Sequence, residues 1–235
     1  MSGSKIKTKG TDLQSKIGRI ITLLESDQGI PTWNGPSDPL ESLVLTVLSQ
    51  NTNDRNRDRA YESLRSAFPT WDGLALASAR DISRAIRVGG LANQKGRRLK
   101  ALLGWVKVRF GGWDMSEICG MDMEEAIDLL VSVDGVGVKT AAVVLMFACG
   151  RDVFPVDTHV HRLCLRLGLV AANSTAEKTF MAMKDMVPPG KSYSLHMNLI
   201  HFGRNCCRAR IPVCLDCPLY RECLFPGKTK ERPSR

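Results

Sequence analysis

The amino-acid sequence predicts an all-α protein. Apolar residues recur at intervals of three and four through most of the 235-residue chain, which is the spacing of one face of a helix. Several of these stretches begin at a residue that favours the helix N-cap, and the β-branched runs are short and lie within helical periods. About ten helices joined by short connections are therefore expected.

The length of the chain limits the number of domains, and its charge indicates the kind of partner. The chain is long enough to bury a core, as one large domain or two small ones. A formal charge of +9 and a pI of about 9.3 indicate a polyanionic partner, with nucleic acid favoured over membrane. No apolar run reaches the ~18 residues of a membrane span, and no apolar segment of a secretion signal follows the basic N-terminus. We therefore expect a monomeric, cytoplasmic and nucleoid-associated protein that has no signal peptide and binds no membrane.

The first half of the chain begins with a basic, polar tail, residues 1–12, that is predicted to be flexible. A first amphipathic helix follows over 13–24. Asp38 and Pro39 are typical of a helix start and open a strongly apolar second helix. The polar run 49–54 ends that helix and supplies the cap of the third.

The second half of the chain is also helical. Short helices are expected within 70–90, and one longer helix over 91–110 carries six positive residues and no acid between positions 95 and 109. Ser174 and Glu177 resemble a capping box, which predicts a helix that ends at Pro188. The remaining helices are expected at 123–131, 139–149, 157–167 and 192–204.

A glycine hairpin lies between two of these helices. Gly135 and Gly137 allow a tight turn whose backbone N–H groups, with the positive end of the next helix, can hold a phosphate. Lys139 stands on the first turn of that helix, where the dipole favours loss of the proton that a nucleophilic amine must lose. Asp157 precedes the following helix. A plain glycine turn, a solvated lysine and an ordinary N-cap are the alternative interpretations of these residues.

The cysteines indicate ligation rather than disulfides. Five of the eight lie in the last thirty residues, and a clustered tail without secretion features is typical of metal or cluster binding. The spacing favours an iron–sulfur cluster, while a four-cysteine zinc site remains an alternative. The four thiols in this pattern are Cys207, Cys214, Cys217 and Cys223, with Cys206 in addition.

Three motifs together resemble the endonuclease III family, which are DNA glycosylases of the helix-hairpin-helix superfamily. They are DGVGVKTA at 134–141, VDTHV at 156–160 and the spacing C-x6-C-x2-C-x5-C from Cys207, and the resemblance covers about 13–225. It implies that Lys139 and Asp157 are catalytic. It also implies a [4Fe–4S] cluster on the four cysteines.

The resemblance implies two helical domains. One is a six-helix barrel over 32–151 that includes the helix-hairpin-helix at about 124–149. The other is a cluster domain formed by both chain ends, 1–31 and 152–235, of which 226–235 is expected to be a second flexible tail. The catalytic cleft is expected between the domains.

The resemblance also implies contacts with double-stranded DNA that contains a damaged base or an abasic site. Leu91 resembles the leucine that wedges into the duplex, and either Gln50 or Asn51 fills the gap left by the flipped nucleotide. The basic loop between the first two cluster cysteines is placed to meet phosphates. The expected DNA-binding residues are Gln50, Asn51, Leu91, Gly135, Val136, Gly137, Thr140, Arg208 and Arg210.

The implied activity is a base-excision-repair glycosylase with lyase activity at abasic sites, acting on oxidised pyrimidines. Lys139 forms a Schiff base at C1′ and β-elimination then cleaves the strand. A mismatch-specific glycosylase that removes adenine, thymine or uracil is the first alternative, and such relatives generally lack a lysine at position 139. A non-catalytic DNA-binding or redox-sensing module is the second.

Overall fold

The computed structural model describes residues 4–35 and 37–229. Within these ranges the chain forms twelve α-helices, one 3-10 turn and no strand, so the all-α prediction is confirmed. No helix in the described part of the chain is both long and apolar enough to cross a membrane. The helices are α1 Ser4–Gln28, α2 Pro39–Ser49, α3 Asp54–Ala67, α4 Trp71–Leu76, α5 Ala79–Ala85, α6 Ala92–Phe110, α7 Glu117–Gly120, α8 Met123–Val131, α9 Val138–Phe147, α10 Thr158–Arg166, α11 Ala176–Lys184 and α12 Ser192–Asn205, with the 3-10 turn at Arg87–Gly89.

Three local predictions need correction. Helix α1 begins at Ser4, so residues 4–12 of the predicted tail have helical backbone, while residues 1–3 and 230–235 lie outside the described part. Helix α7 was not predicted, because four residues are too few for an apolar period to show. The cap of α11 is Thr175, whose hydroxyl accepts the N–H of Lys178, and not Ser174.

Contacts divide the chain into two compact units. One consists of Gly35–Arg151 and therefore holds α2 to α9. The other combines the chain up to Asn34 with the chain from Asp152 onward, and holds α1, α10, α11, α12 and the cysteine tail.

Helix α2 is the centre of the unit Gly35–Arg151. It packs against α3, α6 and α9, and Leu43, Val44 and Leu48 are fully buried. An apolar helix that is buried on several faces is a core helix, and each fully buried leucine stabilises the fold by roughly 1.5–3 kcal/mol. The Asp38 carboxylate accepts the N–H of Leu40 at 2.8 Å, as the predicted cap requires.

A second packing feature fixes α6 against α5. Gly96 lies within α6, where glycine costs about 1 kcal/mol relative to alanine. A Cβ at Gly96 would lie 2.2 Å from Ser83 Oγ and 2.8 Å from the carbonyl oxygen of Ala79. The close approach of the two helices therefore requires glycine here, and it sets the position of the basic helix α6.

A disulfide joins Cys119 in α7 to Cys149, just after α9. Arg151 reinforces the same connection by donating to the carbonyl oxygens of Cys119 and Met121 at 2.9 and 2.8 Å. The pairing was not predicted, because cysteine connectivity cannot be deduced from sequence alone.

The second unit is built from both ends of the chain. The apolar face of α1, which includes Ile17, Ile20 and Leu24, is fully buried, and α1 packs against α12. The Glu25 carboxylate accepts from Lys191 Nζ at 3.0 Å and from the Ser194 hydroxyl. These contacts explain how an N-terminal helix joins the cysteine-bearing C-terminal segment.

Candidate active site and cysteine centre

The glycine hairpin connects α8 to α9. The side chains of Val133 and Val136 are buried, and the Val136 N–H donates to the Val133 carbonyl at 3.0 Å. Residues 131–137 line an open groove on the surface. The apolar hairpin side chains therefore fix the turn from inside, and the hairpin presents its backbone, its glycines and the exposed side chain of Asp134 to the groove.

The structure accounts for the glycine at one of the two hairpin positions and not at the other. Gly135 has a φ of +80°, and a Cβ there would lie 2.7 Å from Nε of Arg98. Gly137 has an extended backbone with φ −96°, and a Cβ there would meet no atom of the described residues within 4 Å. The fold requires glycine at position 135, whereas it does not explain the glycine at position 137.

Lys139 lies on the first turn of α9, as the sequence predicted, and it is exposed. Thr140, its neighbour, is buried at 5% exposure. The predicted DNA contacts of Thr140 and Val136 therefore depend on their backbone groups, because neither side chain reaches the surface.

Asp157 lies in the other unit and caps α10. Its carboxylate Oδ1 accepts the N–H of Val160 at 2.7 Å, so the predicted capping role is observed. Among the described residues no hydrogen bond engages the second carboxylate oxygen. A carboxylate can therefore cap this helix and still present one oxygen to a substrate.

Arg162 connects α10 to the start of the cysteine tail and was not singled out from the sequence. Its guanidinium donates to the carbonyl oxygens of Gly203 and Cys207 at 2.8 and 2.9 Å. Burial lowers the pKa of Arg162, while the charges of Cys207 and Asp157 oppose that shift. An arginine one turn into a predicted amphipathic helix carries no sequence signal that separates it from a solvated one.

The predicted gap-filling segment follows α2, and the structure distinguishes its two candidates. The Gln50 amide is held inside the unit: its oxygen accepts from Arg98 Nη1 at 2.7 Å and its nitrogen donates to the Gly135 carbonyl at 3.4 Å. Asn51 is exposed and has a φ of +51°. Gln50 thus connects the hairpin to α6, and Asn51 projects outward.

The predicted wedge residue, Leu91, lies directly before α6. Its side chain is 51% exposed and its φ is +48°, a left-handed conformation that is rare for leucine. The preceding Gly90 also has a positive φ of +68°. The chain therefore turns sharply here and leaves an apolar side chain at the surface.

Five thiols line one small cavity in the C-terminal segment, and none of them forms a disulfide. Arg166 Nη1 donates to Cys207 Sγ at 3.2 Å, and the Phe225 N–H donates to Cys223 Sγ at 3.4 Å. Arg166 and Lys228 also line the cavity. The thiols are Cys206, Cys207, Cys214, Cys217 and Cys223.

The donor set of this cavity fits a [4Fe–4S] cluster. Such clusters are held by four thiolates, and N–H donors to the sulfurs and nearby cations stabilise the anionic centre. Burial raises the pKa of the Cys207 thiol, and the hydrogen bond from Arg166 opposes that shift. In the described part of the chain no group of three or more His, Cys, Asp or Glu side chains is arranged to hold a single metal ion.

Cys206 is the additional thiol of this cavity. Its Sγ lies 3.1 Å from the Val213 carbonyl, and a hydrogen bond with Cys217 lowers the pKa of Cys206 while raising that of Cys217. The spacing C-x6-C-x2-C-x5-C starts at its neighbour, Cys207, and leaves Cys206 outside the predicted ligand set.

The predicted phosphate-binding arginines, Arg208 and Arg210, are both exposed. Arg166 fixes the start of their loop by donating to the carbonyl oxygens of Arg208 and Ala209 at 2.8 Å each. The loop therefore has a defined backbone at this point, and Arg208 Nε donates to the Asn205 carbonyl oxygen at 3.1 Å.

Residues 44–189 match the HhH-GPD superfamily of base excision DNA repair proteins, which is more than half of the chain. The chain belongs to this superfamily. The resemblance seen in the sequence is thereby confirmed.

The chain is similar in sequence to individual DNA glycosylases, which is consistent with membership of the HhH-GPD superfamily. The chain is 34% identical over 189 residues to a putative DNA glycosylase of Arabidopsis thaliana, covering 77% of this chain and 64% of the relative, so it spans less than two thirds of that protein. It is 31% identical over 210 residues to endonuclease III of Thermotoga maritima, covering 87% and 94% of the two chains. It is 28% identical over 205 residues to thymine-DNA glycosylase of Aeropyrum pernix, covering 85% and 87%.

A solved structure gives the same result for the superfamily fold. A non-covalent complex of endonuclease III with DNA superposes with a TM-score of 0.77 at 25% identity, and the match covers 90% of this chain and 95% of that one. The helical architecture described above is therefore the endonuclease III fold.

Proposed function

We propose that the chain is a DNA glycosylase with lyase activity at abasic sites, acting on oxidised pyrimidines in double-stranded DNA. The observation that carries this proposal is the exposed Lys139 on the first turn of α9, directly after the glycine hairpin. An amine at a helix N-terminus beside a phosphate-binding turn is placed to act on the sugar of a held strand.

The reaction begins with extrusion of the damaged nucleotide, since C1′ cannot be attacked within the base stack. The unprotonated Nζ of Lys139 attacks C1′, the C1′–N bond breaks, and the base leaves with the bonding electrons and a proton. The nitrogen lone pair then expels the ring oxygen: the C1′–O4′ bond breaks, O4′ takes a proton from solvent, and the resulting open-chain iminium makes the C2′ proton acidic. Loss of that proton and cleavage of the C3′–O bond release the 3′ phosphate, and hydrolysis then frees the lysine.

Asp157 is proposed to act on the same nucleotide. Its second carboxylate oxygen is not used by the cap of α10, and a fixed anion stabilises the positive charge that develops on the sugar. The capping bond holds this carboxylate in place, which reduces the reorganisation needed when the charge forms.

Backbone groups of Gly135 to Gly137 are proposed to bind the phosphate on one side of the lesion. The open space around a Cβ at Gly137, where no described residue lies within 4 Å, supports this, because a ligand can approach the backbone closely there. Asn51 is proposed to fill the gap left by the flipped nucleotide, since Arg98 and the hairpin already hold Gln50. Leu91 is proposed as the wedge.

The two compact units are proposed to be the two domains implied by the resemblance, with the cysteine tail holding a [4Fe–4S] cluster. Cys207, Cys214, Cys217 and Cys223 would be its ligands. When bound, the cluster would supply a rigid cross-link between distant points of the tail, which orders the loop that bears Arg208 and Arg210.

A mismatch glycosylase is the second candidate, favoured by the similarity to the thymine-DNA glycosylase of Aeropyrum pernix. Such an enzyme would release thymine or uracil from mismatches. The two candidates differ in whether strand cleavage follows base release. A panel of duplexes with thymine glycol, dihydrouracil, uracil, abasic sites and mismatches, scored separately for base release and nicking, distinguishes them.

The role of Lys139 is tested by trapping with borohydride, which reduces the Schiff base to a stable protein–DNA adduct. We expect Lys139→Gln to abolish trapping on abasic duplex. Lys178→Gln is the matched control, because Lys178 is an exposed lysine on the first turn of another helix, α11. Undiminished trapping by Lys139→Gln, or equal losses in both variants, would remove Lys139 from the mechanism.

A further inference from the structure

Lys95 is a buried lysine that the proposed mechanism does not use. It lies on the first turn of α6, and its side chain is 1% exposed. A buried ammonium group is costly unless it is hydrogen-bonded, and no acidic side chain in the described part of the chain pairs with this one. Burial accordingly lowers the pKa of Lys95.

The partners of Lys95 are two backbone carbonyls that are distant in sequence. Nζ donates to the carbonyl oxygen of Leu48 at 2.7 Å and to that of Gly89 at 2.8 Å. Leu48 lies in the last turn of α2, shortly before Asn51. Gly89 ends the 3-10 turn that precedes Leu91.

The segment from Leu48 to Asn51 and the segment from Gly89 to Leu91 each contain a residue with an unusual backbone conformation. Asn51 and Leu91 are the only non-glycine residues with a positive φ in the described part of the chain, at +51° and +48°. Strained residues persist only where the surrounding structure fixes them, and they concentrate at functional sites. One buried cation therefore bonds to the two segments in which this strain occurs.

We propose that Lys95 is a positioning residue that couples the Asn51 segment to the Leu91 segment, so that both enter the DNA duplex as one preformed unit. This inference rests on the proposed function, since it assigns both segments to the duplex. Inserting side chains between base pairs requires unstacking. Segments that are already ordered lose less conformational entropy when they bind, so the coupling favours nucleotide extrusion.

The first test compares two abasic substrates under single-turnover conditions. In one the abasic site lies in a continuous duplex, and in the other it is bulged and has no opposite nucleotide, so that no gap needs filling. Lys95→Met removes both hydrogen bonds and shortens the side chain by only one heavy atom. We expect its nicking rate to fall about tenfold or more on the continuous duplex, and about twofold or less on the bulged one.

The matched control is Lys100→Met. Lys100 lies on the same helix and donates to the carbonyl of Ala75, away from both segments. We expect it to leave the ratio of the two rates unchanged. An equal loss on both substrates in Lys95→Met would show a general role in stability and would overturn the proposal. Lys95→Gln, which retains an N–H donor, should recover part of the difference, and it replaces Lys95→Met if that variant does not fold.

A second measurement does not depend on catalysis. A duplex with a tetrahydrofuran abasic analogue and 2-aminopurine opposite it becomes more fluorescent when the bound protein breaks base stacking. At saturating protein we expect a smaller increase with Lys95→Met than with the wild type or Lys100→Met, and equal increases would overturn the coupling. If the wild type binds this duplex but nicks neither abasic substrate, the proposed lyase function fails while the fluorescence still decides the role of Lys95.

Discussion

At the scale of single residues, the two hairpin glycines differ in whether the fold itself requires glycine. Gly135 has a positive φ and lies against the Arg98 side chain, so its replacement strains the backbone and collides with a neighbour. Gly137 has neither constraint. Gly18 and Gly104 are equally unconstrained, so the proposed role of Gly137 depends on its place in the hairpin directly before α9.

This contrast leads to a prediction with an internal control. We expect Gly137→Ala to change the free energy of unfolding by less than about 0.5 kcal/mol and to weaken binding to abasic duplex about tenfold, because its methyl group meets only the ligand. Gly135→Ala should destabilise the fold by about 1–2 kcal/mol, from the left-handed backbone alone. Chemical denaturation and fluorescence anisotropy measure the two effects. Unchanged DNA binding in Gly137→Ala would contradict the proposed contact.

Some residue-scale features could be predicted from the sequence and others could not. Asp38 and Asp157 were recognised as caps because capping depends on local residue types. Lys95 was counted within a run of basic residues, which favours a solvated helix face, and its burial depends on carbonyls at Leu48 and Gly89. The left-handed conformations of Asn51 and Leu91 were not predicted, because neither residue type requires them.

At the scale of elements, the cysteine segment is organised by α10 as well as by its own thiols. Arg162 and Arg166 project from α10 to the backbone of residues 203–209, and Arg166 also donates to the sulfur of Cys207. The cysteine spacing was visible in the sequence, but these two arginines were not, because their partners lie about forty residues away. The position of the segment therefore follows from α10.

The adjacent thiols of this segment provide a test of the ligand set. Cys206→Ser is expected to retain the iron content and the visible absorbance of a [4Fe–4S] protein, while Cys207→Ser should lose both. The reason is that Arg166 donates to Cys207, whereas Cys206 Sγ contacts the Val213 carbonyl. Iron and zinc analysis of the purified proteins gives the measurement. If Cys206→Ser loses the cluster and Cys207→Ser retains it, Cys206 and not Cys207 is the ligand. Stoichiometric zinc in place of iron would favour the zinc alternative.

At the scale of the whole molecule, positive charge is concentrated near the cysteine segment. Residues 204–235 contain eight Arg and Lys residues against three Asp and Glu residues, in a chain with a formal charge of +9. Such a charge raises the rate of encounter with DNA and makes binding depend on salt. The charge predicted a nucleic-acid partner from the sequence, but it did not reveal which residues meet phosphates.

The salt dependence of binding identifies those residues. Each phosphate contact contributes about −0.9 to the slope of log K against log salt concentration for duplex DNA. We expect Arg210→Gln to reduce the magnitude of the slope by about one contact, because Arg210 is exposed on the loop between Cys207 and Cys214. Arg80→Gln, an exposed arginine in α5 of the other unit, should leave the slope unchanged. The slopes come from fluorescence anisotropy titrations at several salt concentrations, and an unchanged slope in Arg210→Gln would place the phosphate contacts elsewhere on the basic surface.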